Sequence, residues 1–380
     1  NINFDITDKD RDFYKKMDVP SPVLCPDCRQ QRRLSYANQI NLYKRKCDAT
    51  GIDIISHYHK DSPLKVFKYD YWMGDEHEGL DYGRDFDFSR PFFEQWHELA
   101  SDVPRPSLHG ALMFNENSEY INYAGFNKNC YMIFDADYNW DCFYSLGINK
   151  SKNSMDCFRS KECELSYECV DCYKTYKLYY SQDCTNCSSS AFLKNCIGCK
   201  HCFMCSNLKN KEYYIFNKKF DKEKYEELME SLSDHSQLTK YFKDWNDFKV
   251  KFPQKCTHGF YNENVLGDYL VQCKNSENCF DSIELWDCKY FTRSFGSAKS
   301  CMDCDECGDG AELLYEGAFS GFNFQNARFF TFCISESSNI DYCHFCHFSS
   351  DLFGCIGLKR KKYCIFNKQY SKEEYENLKN

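Results

Sequence analysis

The sequence predicts a mainly β fold: two cysteine-rich parallel β-solenoid modules, each ended by a strand and a helix, behind a small zinc-binding α+β domain. Three observations predict it. LKNKEYYIFNKKFDKEKYEEL (208–228) and LKRKKYCIFNKQYSKEEYENL (358–378) align without gaps at an offset of 150, an internal duplication. Short apolar clusters (YINY at 120, YMIF at 131, FYSL at 143, LYY at 178, AFL at 191, YYIF at 213) recur at a spacing of about eleven to thirteen, or twice that. Between them lie polar turns, often Asn-Cys or Asp-Cys. The 27 cysteines, with nine CxxC spacings, are the compositional outlier.

The N-terminal segment, 1–112, differs from the rest. It carries one CxxC, a basic stretch and the acidic aromatic segment YDYWMGDEHEGLDYGRDFDF. Ser89 is then expected to cap a helix over RPFFEQWHELA, with Pro91 in its first turn. Residues 113–235 form the first solenoid module, 236–254 a helical linker and 255–380 the second module. A half-turn of about eleven and a full turn of about twenty-two suit a parallel solenoid, the alternative being a string of small zinc-ribbon hairpins. Its ends need covering, and each module closes on an apolar strand followed by a capped helix: Asp221 caps the first, and Ser371 with Glu374 forms a capping box on the second. In the linker, aromatics at 241, 242, 245 and 248 have the spacing of a core-facing helix.

The net charge of −9 argues against a chain that is basic throughout. No run approaches 18 apolar residues, and the opening NINFDITDKDRDFYKKM is polar, so neither a membrane span nor a leader is expected and the setting is read as cytoplasmic. There the cysteines would be thiols and metal thiolates before disulfides. No phosphate loop, GxSxG elbow, HExxH or dinucleotide fingerprint occurs, so the chain reads as non-enzymatic and no small-molecule substrate is expected. Asp85 and Asp87, or Asp135 and Asp137, suit solvated turns better than a general acid and base.

Cys25-Pro-Asp-Cys28 is a knuckle that points two thiolates at one ion, and Cys47 lies at ribbon distance for a third. His59 or His57 would complete a structural zinc site, with Asp48 the poorer choice. In the first module Cys184, Cys187, Cys196 and Cys199 sit as two pairs twelve residues apart and could share a second zinc. Cys301, Cys304, Cys307, Cys343 and Cys346, with His344 and His347, form a comparable group. The same cysteines equally suit small buried hydrophobes stacked on successive turns, as do Cys130, Cys142, Cys157 and Cys333. The run Cys196, Cys199, Cys202, Cys205 resembles a ferredoxin motif, but its last interval is short and its proline is missing. Cys196 and Cys205 recur as Cys346 and Cys355, whereas Cys199 and Cys202 become Ser349 and Leu352, which disfavours an iron–sulfur cluster.

CRQQRRLSYANQINLYKRKC carries Arg29, Arg32, Arg33, Lys44, Arg45 and Lys46, with Tyr36 and Tyr43 between them. Such a stretch suits phosphate contact and base stacking in RNA. The acidic segment Asp70–Asp87 could instead pair with it internally.

CPDCRQQRR, LYKRKCDATG, DYGRDFDFSRPFFEQW, VPRPS and IFNKKFDKEKYEE together resemble an uncharacterised cysteine-rich, zinc-ribbon-like family of candidate-phyla-radiation (Patescibacteria) bacteria. The resemblance covers nearly the whole chain. It implies a metal at Cys25, Cys28 and Cys47 and a bacterial cytoplasm, and it implies no activity.

The expected function is a zinc-stabilised repeat scaffold that binds RNA or a ribonucleoprotein, such as the ribosome, through the basic knuckle, while the solenoid faces contact protein partners. The alternatives are a scaffold that binds only proteins and an iron–sulfur or thiol redox protein.

Overall fold

The computed structural model describes residues 3–294, 296, 298–299, 302–303, 305–307, 311–312, 315, 317–318 and 337–379. Of the cysteines named above, Cys301, Cys304, Cys333 and the side chain of Cys307 lie outside the description.

Between Glu116 and Ile215 the chain pairs with itself in parallel at a constant separation of twelve residues. Asn122–Gly125 lies on Tyr131–Asp137, which lies on Phe143–Leu146; further on, Tyr176–Tyr179 lies on Ser188–Lys194, which lies on Phe203–Ser206. Between these strands single bridges keep the register: Lys152↔Glu164, Met155↔Tyr167, Phe158↔Val170 and Lys161↔Tyr173. Four bridges three residues apart mean that one complete rung takes twelve residues and has four sides. This corrects the expected half-turn near eleven and full turn near twenty-two. The reason is local: every third residue is left-handed, for example Asn117, Tyr120, Tyr123, Phe126, Asn129 and Met132 at φ between 45° and 59°. A left-handed corner every three residues closes the rung in half the expected length. Asn and Asp tolerate that conformation best, hence the recurring Asn-Cys and Asp-Cys.

The residue after each corner points inward. Two of every three N–H groups pair with neighbouring rungs: Lys128 donates to Asn139 O at 2.9 Å and Asn129 to Glu116 O at 3.0 Å. The third N–H belongs to the inward residue, and at many positions an Asn or Ser one rung earlier accepts it through its side chain. Asn139 N donates to Asn127 Oδ1 at 3.0 Å, Ser151 N to Asn139 Oδ1 at 2.9 Å, Leu193 N to Ser181 Oγ at 2.9 Å and Cys202 N to Ser190 Oγ at 3.0 Å. The interior is therefore a column of Asn, Ser, Cys and aliphatic side chains, not an oily core.

The ends of the stack are built as the duplication implies. Tyr214–Ile215 turns back antiparallel on Lys218–Lys219 through Phe216 and Asn217, both at positive φ, and Lys362–Ile365 turns onto Lys368–Gln369 through Phe366 and Asn367 in the same way. Asn367 Oδ1 accepts from Ile356 N and its Nδ2 donates to Ile356 O, both at 2.7 Å, standing in for a further strand; Asn217 does the same for Ser206 at 2.9 Å. The capped helices follow: Lys222–Glu230, with Asp221 accepting from Lys224 N, and Lys372–Lys379, with Ser371 and Glu374 bonded reciprocally.

In chain order the helices are α1 (Asp8–Lys16), α2 (Pro26–Leu34), α3 (Tyr69–Met73), α4 (Phe92–Asp102), α5 (Lys222–Glu230), α6 (His235–Lys249) and α7 (Lys372–Lys379). The N-cap position of α4 is Pro91, one residue inside the expected helix, and Ser89 does not cap it: its hydroxyl donates to Asp87, while Gln95 folds back to bond the Asp87 backbone. The second module repeats the twelve-residue register over Ser338–Asp341, Ser350–Phe353 and Lys362–Ile365. Earlier in that module the separation departs from twelve: it is eleven where Gly259 faces Leu270, and thirteen where Leu285 faces Ala298, Thr292 faces Asp305 and Ala298 faces Ala311. The two modules meet along the corner column of Asp135, Arg159, Asp171 and Asp183. Arg159 pairs with Asp171 at 3.2 Å and with Asp281, Tyr269 donates to Asp183 at 2.9 Å, and Arg293 reaches Asp135 at 3.4 Å. No helix is long and apolar enough to cross a membrane among the described residues.

Candidate functional site

The N-terminal cysteines are not assembled into one site. Cys25 is the N-cap of α2 and faces Cys28 within the first turn; hydrogen bonding to Cys28 holds the Cys25 thiol below its usual value, and the pairing pushes Cys28 up. Cys47 is buried elsewhere, among Ile54 and Val66, and its sulfur accepts the Lys68 N–H at 3.2 Å. His59 is half exposed, edge-on to Tyr43, with Nδ1 accepting from Asp61 N at 3.2 Å. His57 packs edge-on against His109, 4.2 Å between ring centres. Among the described residues no group of three or more His, Cys, Asp or Glu side chains could hold a metal ion. Neither the expected set Cys25, Cys28, Cys47 and His59 nor the set Cys184, Cys187, Cys196 and Cys199 fits a zinc ion as it stands.

The second set does converge, but as part of the wall. Cys184 and Cys196 occupy one inward column, Cys187 and Cys199 the next, and all four are at most 1% exposed. Their sulfurs act as weak donors to backbone carbonyls two residues earlier and nine later: Cys187 to Thr185 O and Cys196 O at 3.5 and 3.4 Å, Cys196 to Lys194 O and Cys205 O at 3.5 Å each, and Cys199 to Ile197 O and Leu208 O at 3.7 and 3.5 Å. Ser154 makes the same two bonds, to Lys152 O and Cys163 O. Cys and Ser thus exchange along the interior because each is small and brings one donor to an inward carbonyl. Burial pushes Cys163 up to about 12 and Cys184 upward as well, which keeps those two thiols protonated and poor as nucleophiles, whereas hydrogen bonds from Cys187, Cys196 and Cys202 hold Cys199 down.

The basic stretch divides in the same manner. Arg29 and Arg33 are 1% and 2% exposed; Arg29 Nε donates to Asp303 at 2.6 Å and Arg33 Nε to Asp305 at 2.7 Å. They dock α2 onto the second module and have no surface to offer a phosphate, which corrects their expected role. Arg45 pairs with Asp48 at 3.0 Å and Lys46 with Asp53 at 2.7 Å, while Arg32 and Lys44 are exposed. The acidic segment pairs with the second module, Glu78 with Lys361 at 2.8 Å and Asp85 with Lys368 at 2.5 Å.

Two features escaped the reading of residues. One is a buried junction of His57, His109 and His344 beside Arg105, where the N-terminal segment meets the second module. His109 stacks on Phe345 at 4.7 Å, and burial lowers His57 to about 4 and holds His109 and His344 well below the usual histidine value. The other is a column of outward side chains at twelve-residue spacing, Tyr131, Phe143, Met155, Tyr167 and Tyr179, with the corner column Tyr120, Met132 and Tyr144 beside it. Phe143 is 37% and Tyr144 52% exposed. The twelve-residue recurrence of aromatics was the signal for it. Compared with known protein families and with curated proteins, the chain matches none.

Proposed function

We propose that the chain is a non-enzymatic scaffold built on two parallel β-solenoids, and that the outer faces of their rungs bind protein partners. One observation carries this reading: large apolar side chains stand exposed on successive rungs of the first module, Met132, Trp140, Phe143, Tyr144 and Met155 among them, while its interior is filled and hydrogen-bonded. Rigid stacks of this kind expose long surfaces at fixed spacing, and clustered exposed apolar groups mark interaction sites. The RNA reading rests on fewer groups than the sequence suggested, because Arg29 and Arg33 are internal.

Cross-linking of tagged protein in cells, followed by nuclease treatment and mass spectrometry, tests the proposal. The expected result is protein cross-links on outward residues between positions 116 and 216, indifferent to nuclease. Recovery of RNA that is lost with Arg32→Ala plus Lys44→Ala, and no protein cross-link on the rungs, would replace it with nucleic-acid binding.

A further inference from the structure

The last rungs of the two modules are covered alike. On the first, α6 lays Tyr241, Phe242 and Phe248 over the outward and corner columns: Phe242 meets Tyr180 at 5.1 Å and Phe192 at 5.3 Å, Tyr241 meets Phe203 at 5.2 Å, and Phe248 meets Phe216 at 5.0 Å. On the second, α4 lays Phe92 and Trp96 over the columns that the internal duplication makes equivalent. Phe92 meets Tyr342 at 4.8 Å, Phe353 at 5.3 Å and Phe366 at 5.4 Å, and Trp96 Nε1 donates to Tyr342 O at 2.8 Å. Gly354 occupies the corner between Tyr342 and Phe366, and a Cβ there would come within 3.4 Å of the Phe92 ring. Two helices of different sequence, from different parts of the chain, have the same seat.

That seat continues along the first module, where none of the described helices lies upon it. Below the rungs that α6 covers, the same two columns carry Tyr167, Glu168 and Asp156 and then a second apolar run of Tyr120, Tyr131, Met132, Phe143, Tyr144 and Met155. Met132, Phe143 and Met155 are 36–37% exposed, and the Tyr131 ring sits 5.4 Å from Tyr120 and 5.8 Å from Tyr144. The run spans four rungs, as does the stretch from Tyr180 to Phe216 under α6. At about 4.8 Å per rung it matches about three turns of helix. At its upper end Asp156 and Glu168 lie beside Tyr167, an acidic border that suits lysine or arginine on the occupant.

We infer that this run binds an amphipathic helix of a protein partner, with two or three aromatic side chains on one face and a basic residue near one end. Resting on the scaffold reading, it names the surface and the class of partner. The occupant inserts its rings between rungs as α6 does, a helix-in-groove mode read at i, i+3, i+4 and i+7.

A fluorescein-labelled peptide of the α6 sequence, residues 235–249, is the probe, titrated by anisotropy against the full chain. Saturable binding is expected, weakened about tenfold by Phe143→Ser plus Tyr144→Ser and less than about twofold by Tyr173→Ser, an exposed ring on another side of the rung. A peptide with serine in place of its four aromatics is expected not to bind. Circular dichroism of each variant separates lost binding from lost fold, and Met155→Ser, a single exposed change, gives a second reading should the double variant unfold. No saturation at about 1 mM peptide, or equal affinity of wild type and the column variants, overturns the inference. Protein cross-links on other faces would then leave the scaffold reading standing, whereas RNA-only recovery would remove both.

Discussion

Replacing Asn139 by alanine removes one side chain from the interior column and tests whether polar satisfaction, not apolar burial, holds the rungs. Asn139 is fully buried. Its Oδ1 accepts from Ser151 N at 2.9 Å, and its Nδ2 donates to Asn127 Oδ1 at 3.0 Å and Ile148 O at 3.2 Å. Alanine leaves the Ser151 N–H without an acceptor inside the stack, which costs about 1–3 kcal/mol, and deletes two further bonds worth about 1 kcal/mol each. The expected loss is about 3–5 kcal/mol. Serine is the informative comparison. Ser151, one rung later in the same column, uses its Oγ to accept Cys163 N at 3.3 Å, so Asn139→Ser keeps the acceptor and is expected to cost about 1–2 kcal/mol. Urea unfolding gives the two free energies, and amide exchange at Ser151 reports the orphaned donor directly. Equal losses for the two variants, or less than about 0.5 kcal/mol for alanine, would refute the account.

Two further outcomes follow from buried charge. Arg33→Ala strands Asp305 in a site where burial already raises its carboxyl and Arg33 offsets that; a loss of about 3–5 kcal/mol is expected in thermal or urea unfolding, against about 0.5 kcal/mol or less for exposed Lys44→Ala. The histidine junction should open in acid. His57, His109 and His344 have folded values below the unfolded value of about 6.5, so the unfolded or undocked state takes up protons first. The stability they allow is intact above about pH 6.5 and falls as pH drops towards 4, by up to about 1.4 kcal/mol per pH unit for each group. The groups facing them are Arg105, Tyr36, Tyr58, His347 and Cys346, with Asn38 donating to the His57 carbonyl. Fluorescence of buried Trp72, whose neighbour His77 is also lowered to about 4, should report the opening, and His57→Gln should shallow the pH dependence. A flat signal from pH 7 to 4.5 would be the contrary result.

Much of the architecture was legible. The short-period repetition is visible because outward and inward positions repeat with each rung, and the terminal hairpins and caps are written in IFNK followed by Asp221 or Ser371. The period was misread by a factor of two because Asn and Asp before cysteine look like loop turns; here they are corners inside a regular structure, at φ near 50°. The CxxC spacings are ambiguous for a related reason. Three residues separate adjacent inward positions, so any cysteine-lined interior generates the spacing of a metal knuckle. Arg29 and Arg33 could not be placed because their partners Asp303 and Asp305 lie 274 and 272 positions further along the chain, beyond any local pattern. The histidine junction was hidden likewise, being assembled from three distant segments.

The three-residue side also sets which lengths of insertion the molecule can absorb. Adding twelve residues adds one rung and leaves every outward column on its own face. Adding three keeps corners as corners and inward residues inward, yet rotates everything beyond by one side, so a row of aromatics would pass to a neighbouring face. The separations of thirteen at Leu285↔Ala298 and Ala298↔Ala311 are neither three nor twelve more than a rung. Surface identity in such a chain is thus a matter of residue arithmetic: the interior counts in threes and the outer faces count in twelves.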